Sequence, residues 1–303
     1  MLSQVKPLFV SLLLLVGGCS SALAANSFVY CSRPAILSAV QKDHLLVLSS
    51  TIKDLLESSG SDVAIVSRSG IDLDRFNIRY SHTGISLKHS QNTPWSIRQL
   101  YYACDEGRSR IFDQGLSGFL LDQDGNKPNF ISLVFVKKPA AASLEQATLN
   151  NRTAVSLLGT QYSANAYAFS TLYQNCNQWV IELLAAAWGA PMPDPPSRVA
   201  SQTWLKQQHY QPTDIDVKHR FMVWISHLVP LVHNNDHPAE NLEKDIYQVS
   251  MPASVENFVR ATTPGAERIE VCLNQKQIVI HRGWDLIADN CVPGAEDKVV
   301  PVS

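Results

Sequence analysis

Glycine is scarce in this chain, 14 of 303 residues. None builds a glycine-rich strand-to-helix turn, which argues against a nucleotide-phosphate cradle. The sequence has no CxxC, so a dithiol oxidoreductase is disfavoured, and it has no HExxH zinc pattern. No charge sign prevails: 25 Lys and Arg face 27 Asp and Glu, a net charge of −2. That balance gives no electrostatic footprint for nucleic acid. Internal repeats and long runs of one charge are absent. After the N-terminus, no apolar run is long enough to cross a membrane. What remains is ordinary globular composition, 45% hydrophobic and 17% charged. The length suits one large domain or a domain with an appendage.

The first residues read as an export leader. Lys6 supplies a positive start, Leu8 to Val16 a short apolar core, and Ala22-Leu23-Ala24 a cleavage site ahead of Ala25. Lys6 is the one charged residue before Ala25, so removal takes the net charge from −2 to −3. A second reading stands beside it. Val16-Gly17-Gly18-Cys19 resembles a bacterial lipoprotein box that would acylate Cys19, although Gly at its second position is a weak fit. The leader is thus 1–24, or 1–18 for a lipoprotein. Either reading expects an exported, periplasmic protein, held at a membrane only through a lipid on Cys19.

Export changes the cysteine arithmetic. The mature soluble form keeps Cys31, Cys104, Cys176, Cys272 and Cys291. An odd number in an oxidising compartment leaves at least one thiol unpaired. Cys272 and Cys291 flank a hairpin-like segment and are a possible disulfide. Cys31 with Cys104 is a second, which would leave Cys176 free. The alternative, several reduced and buried cysteines, stays open.

Periodicity predicts a long helix over 33–58, a buried strand at 63–66 and a loop over 70–77. It predicts further strands at 79–87, 95–102 and 129–136. Helical patterns cover 144–158, 199–208 and 218–232, and a short helix follows Pro252. A hairpin spans 268–273 and 277–281, turning at Asn274. Pro191, Pro193, Pro195 and Pro196 mark the best boundary. The expected organisation is a domain over 25–196 and a helical plus β-hairpin C-terminal extension over 197–303.

Gln174-Asn175-Cys176-Asn177-Gln178-Trp179 carries the strongest chemical signal. Trp179, Val180, Leu183, Leu184 and Ala187 keep the spacing of a buried helical face. Asn175 is a good N-cap, which puts Cys176 in the first turn. A helix N-terminus offers free N–H groups and partial positive charge, so a depressed thiol pKa is expected. A nucleophilic cysteine needs a base in reach and a group that orients the base. Of nine histidines, His82 is the best candidate. It lies in a strand-like segment, and Gly84 two positions on permits close backbone approach.

Ser81-His82-Thr83-Gly84-Ile85 in a strand, a polar-bearing next strand and a later helix-opening cysteine resemble the circularly permuted branch of the NlpC-type papain-like fold. That group includes lecithin:retinol acyltransferase-like proteins and bacterial thiol hydrolases. The resemblance implies Cys176 as nucleophile, His82 as general base, and a polar residue of the next strand as orienting group. Gln99 is the choice for that third role, a neutral group where relatives often carry a charged one or an imidazole. The wider layout is similar to the bacterial domain of unknown function 2145. This similarity rests on Ala64-Ile65-Val66-Ser67-Arg68-Ser69-Gly70, Tyr80-Ser81-His82-Thr83-Gly84, Gln114-Gly115-Leu116, Gln174-Asn175-Cys176-Asn177 and Asn235-Asp236-His237-Pro238. It implies an exported protein and no particular chemistry.

The mechanism then expected is proton transfer from Cys176 to His82, thiolate attack on a carbonyl, a thioester, and its resolution by water or another acceptor. The Cys176 N–H, and the Asn175 or Gln174 side chain, are oxyanion candidates. Tyr80 is a candidate neighbour of the site. Other clusters carry less. His227, His233, Asp236 and His237 have metal-ligating chemistry but no recognised spacing. Asp122, Asp124 and Asn126 read as a plain turn, because Gly125 falls at the wrong place for a calcium loop and no glutamate closes it. No metal and no cofactor are expected.

The expected fold is therefore α+β: a small antiparallel sheet packed on the Cys176 helix, with helical additions at both ends. The leading function is an exported cysteine hydrolase of amide or ester bonds. Peptidoglycan peptides are its first substrate class and acyl-lipids its second. The rival is a non-catalytic envelope binding or scaffold protein on the same fold.

Overall fold

The apolar run Val63–Val66 and the stretch Phe130–Val136, apolar but for Ser132, ask for strands covered on both faces, and the computed structural model of the chain builds its sheet around them. It describes residues 37–121, 128–217 and 231–302. The leader, Cys19, Cys31, the Asp122–Asn126 turn, His227 and most of the helical pattern at 218–232 lie outside the described residues.

In chain order the elements are α1 (Ala39–Ser58), β1 (Val63–Arg68), β2 (His82–Leu87), β3 (Ser96–Ala103), β4 (Arg108–Gln114), α2 (Leu116–Leu121), β5 (Asn129–Phe135), α3 (Ala140–Leu149), α4 (Asn151–Ser156), α5 (Cys176–Trp188) and α6 (Arg198–Gln207). Then come β6 (Thr213–Asp216), α7 (Ala239–Glu243), β7 (Ile246–Val249), α8 (Pro252–Thr262), β8 (Glu267–Leu273), β9 (Gln277–Arg282) and β10 (Lys298–Pro301). A short 3-10 turn, Asp74–Phe76, interrupts the expected 70–77 loop.

Eight strands form one antiparallel sheet in the order β10-β9-β8-β5-β1-β2-β3-β4. The sheet is larger than the sequence leads one to expect. The C-terminal hairpin is part of it, because β8 pairs along its whole length with β5. β6 and β7 form a separate two-stranded ribbon. One face of the large sheet packs Val63, Ile65, Ile85, Leu87, Leu100 and Val134 against α3, α5 and α8. The other packs Ala64, Val66, Ile97, Ile131 and Leu133 against α1 and α2. Alternation along each strand thus serves two cores.

Local chemistry sets the helix boundaries. Ser38 and Gln41 form a reciprocal capping box that starts α1 at Ala39, later than the apolar spacing alone places it. The expected helix over 144–158 is two helices, because the Asn150 side chain accepts from the Arg152 and Thr153 N–H groups and starts α4 afresh. β4 escapes a pattern reading because it is an edge strand of sequence RSRIFDQ with little apolar alternation.

Candidate active site

The Asn175 side chain accepts from the Gln178 N–H at 2.7 Å, so α5 begins with Cys176 in its first turn. α5 is buried on every side from Cys176 to Ala185, which makes it a central rather than an amphipathic helix. Gln174 holds the approach to it. Its side chain accepts from Gly159 N–H (2.7 Å) and donates to Leu157 O (2.9 Å) and Glu182 Oε2 (2.7 Å). Glu182 is fully buried and also accepts from Arg198 (2.8 Å) and Gln202 (2.6 Å). Arg198 in turn donates to the carbonyls of Ser170, Thr171 and Tyr173. This buried, satisfied network fixes the segment that delivers Cys176, and it ties the chain after the proline cluster back to α5.

Cys176 is the free cysteine among the described residues. Its sulfur lies 4.0 Å from the Ser81 carbonyl. The backbone N–H groups of Asn177 and Thr83 also point to it. β2 explains that access. Its ladder with β3 ends at Ile85↔Arg98, while β3 runs on to Ala103 beside β4. Ser81 and Thr83 therefore have no β3 partner across from them, and the Ser81 carbonyl and Thr83 N–H are left for the thiol and for the Asn177 side chain, which donates to Ser81 O at 3.2 Å. The Tyr162 hydroxyl reaches the same sulfur.

His82 begins β2. Its Nε2 is hydrogen-bonded to Gln99 Oε1 on β3, and Gln99 donates its amide to Gln114 Oε1 on β4 at 2.6 Å. Gly84 makes this approach possible, since a Cβ there would lie 2.5 Å from Ile97 Cγ2 and 3.2 Å from Gln99 Cβ. The His82 ring packs 5.8 Å from the Phe119 ring of α2. Ring and thiol thus approach β2 from its two faces, the ring from the α2 side and the thiol from α5, and neither is among the other's hydrogen-bond partners or charged neighbours.

Electrostatics overturns the expectation of a depressed thiol pKa. Burial pushes Cys176 up to about 11, against the opposing pull of backbone N–H groups and of Arg68. Burial, reinforced by Arg68, pulls His82 down to about 3, and the Gln99 bond only partly opposes this. The resting pair is therefore neutral thiol and neutral imidazole. Desolvation outweighs the helix terminus here because the thiol is buried in the protein interior. Tyr162 is held well above its ordinary range by burial, and then by Cys176, so it remains a donor.

The oxyanion candidates need correction. Both amide donors of Asn175 are spent on Ala164 O and Ser250 O, at 3.3 Å each, and its oxygen caps the helix. Gln174 is consumed as described above. The Cys176 N–H is retained: it, the backbone N–H groups of Thr83 and Asn177 and the Tyr162 hydroxyl are the donors directed at the sulfur. Tyr80 is also elsewhere. It packs with Phe130, Cys272 and Cys291, bonded to Glu270 and Arg268. Cys272 and Cys291 are disulfide-bonded, Cα atoms 5.6 Å apart. Cys104 is disulfide-bonded too, and its expected partner Cys31 is outside the described residues.

The Asp236–His237 cluster is put to structural use. Asp236 accepts from Tyr167 N–H at 2.9 Å, His237 Nε2 meets Asn165 O at 2.7 Å, and His233 stacks on Tyr173 at 4.6 Å. Arg68, Gln114, Tyr162, Asn177 and Glu182 escape the sequence reading. Of these, only Arg68, Gln114 and Asn177 fall inside the family-like segments, and nothing in their spacing marks a role.

No helix among the described residues is long and apolar enough to cross a membrane. No curated protein and no solved structure matches the chain. The profile of the family described as "Uncharacterized protein conserved in bacteria (DUF2145)" matches residues 55–259, a span that holds His82, Gln99 and Cys176 and stops before β8. The chain belongs to that bacterial family, the domain of unknown function 2145.

Proposed function

We propose that the chain is an exported thiol hydrolase that opens an amide or ester bond through a Cys176 thioester, on a permuted papain-like arrangement. The observation that carries the reading is the imidazole of His82 fixed by Gln99, at the point where β2 parts from β3 and receives the Cys176 sulfur. The Gln99 bond occupies Nε2 and leaves Nδ1 open; because ring and thiol flank β2 from its two faces, the proposed step needs a bridging water or the substrate to carry the thiol proton to that atom. Because the resting pair is neutral, proton transfer accompanies attack on the carbonyl. A free-standing ion pair lies uphill by roughly 10 kcal/mol before mutual attraction, given the separation of the two pKa values. The Cys176, Thr83 and Asn177 N–H groups and the Tyr162 hydroxyl are directed at the sulfur and would stabilise the thiolate as its proton leaves. Peptidoglycan peptides are the first substrate class, by similarity to NlpC-type enzymes and by the expected compartment. Acyl-lipids are the second.

The test is hydrolysis by the purified mature chain of a muropeptide panel and an acyl-ester panel. One class should be cleaved, with Cys176→Ala and His82→Ala each losing about 100-fold or more. Cleavage unaffected by either change would defeat the proposal.

A rival reading, a non-catalytic envelope protein, draws on the burial of the same groups: Cys176 is 6% exposed and His82 8%. It predicts no turnover of either panel and a Cys176→Ala chain that keeps its binding partner.

A further inference from the structure

At the opposite end of β1 and β2 from Cys176, three side chains distant in sequence converge. The register Val63↔Leu87 sets Asp62 beside the chain leaving β2, and Lys88 N–H donates to Asp62 O at 2.9 Å. His89 follows, and α3 brings Glu145 across, with His89 Nδ1 2.6 Å from Glu145 Oε1. One nitrogen of His89 and one oxygen each of Asp62 and Glu145 lie within 4.8 Å of one another.

We infer that Asp62, His89 and Glu145 form a binding site for a divalent transition-metal ion, with zinc the best match. One imidazole and two carboxylates are the donor set of oxygen- and nitrogen-ligated zinc. Bonds of about 2.0–2.2 Å place tetrahedral ligands roughly 3.3 Å apart. The side chains must therefore close in by about 1.5 Å at most. Side-chain rotation is enough for that, because His89 is 60% exposed and the site has an open side for water ligands. Asp62 and Glu145 also line a cavity of about 430 Å³, which leaves room for the shell. Lys88 now stands 3.6 Å from Asp62 and 3.8 Å from Glu57. An ion would displace its ammonium from Asp62. The site would clamp the β1–β2 end to α3, whose Ala141 and Leu144 share a core with α5. No spacing motif announces it, since positions 62, 89 and 145 meet only in the fold.

The test is calorimetric titration of the chelator-treated mature chain with zinc chloride, with cobalt(II) absorption alongside. One saturable equivalent is expected. His89→Ala and Glu145→Gln should each weaken it about ten-fold or more, and Lys88→Ala should tighten it. All three variants should keep the parent circular dichroism. The cobalt spectrum should lack a thiolate charge-transfer band. No saturable binding overturns the inference. So does equal binding by His89→Ala, or a thiolate band, which would put the ion on Cys176.

Discussion

His82 and Gln99 are bonded through Nε2 and Oε1 between the first residue of β2 and the fourth of β3, and Gln114 holds the far side of the glutamine. This chain of contacts fixes which ring nitrogen is occupied. Gln99→Ala should lower turnover about 10- to 100-fold while leaving the protein folded. Gln99→Glu should raise the His82 pKa, shifting the acid limb of the pH–rate profile upward. A Gln99→Ala chain with unchanged kinetics would remove the glutamine from the account.

The neutral resting pair has a consequence for reactivity. Alkylation of native Cys176 by iodoacetamide should be slow near neutrality. It should climb about ten-fold per pH unit without a plateau below about pH 9, as a thiol above its ordinary pKa requires. A rate that levels off below about pH 7 would reveal a preformed thiolate and contradict the burial argument.

His82 also links stability to pH. Its folded pKa is about 3, against the ordinary imidazole value of 6.5 in the unfolded chain. Between these values the unfolded chain binds a proton that the folded chain refuses. Stability from this group is complete above the unfolded pKa and falls as pH drops, by about 1.4 kcal/mol per pH unit. Urea unfolding across that window should show this slope, reduced by one proton's worth in His82→Gln. Identical slopes in the two proteins would show that His82 titrates normally when folded.

The Glu182–Arg198 pair is buried and fully bonded, so removal of one partner leaves an uncompensated charge. Glu182→Ala or Arg198→Ala should each destabilise by about 3–5 kcal/mol, whereas a well-packed apolar replacement of both should cost less. Denaturant midpoints of the two single variants and the double variant test this. Single losses below about 1 kcal/mol would mean the pair is solvated.

Gly84→Ala forces a Cβ against Ile97 and Gln99, and one contact is to the Arg98 carbonyl, which cannot swing away. A loss of about 1–3 kcal/mol is expected. Turnover should fall further than stability explains, because Gln99 is displaced. Full activity in a folded Gly84→Ala chain would contradict the close approach.

How much of this was legible in the sequence depends on range. The start of α5 is a local matter of Asn175, Cys176 and Trp179, and the residues alone announce it. His82 and Gln99 stand on strands whose alternation is readable, and the family resemblance supplied their roles. The thiol pKa was not legible. The helix terminus that would lower it is local, whereas the burial that raises it comes from the sheet and from elements distant in sequence. Gln174 and Asn175 looked like spare donors only because their acceptors, Leu157, Ala164 and Ser250, come from other segments of the chain. The sheet was underestimated for a similar reason: β8 reveals its place only through pairing with β5, about 140 residues earlier.

The most direct measurement is the mass of the purified protein quenched in acid during turnover of a muropeptide or acyl ester, followed by peptide mapping. The account predicts an acyl mass on Cys176, absent from Cys176→Ala and about ten-fold lower in His82→Ala. Hydrolysis that persists in Cys176→Ala, or turnover with no acyl mass on Cys176, would contradict it.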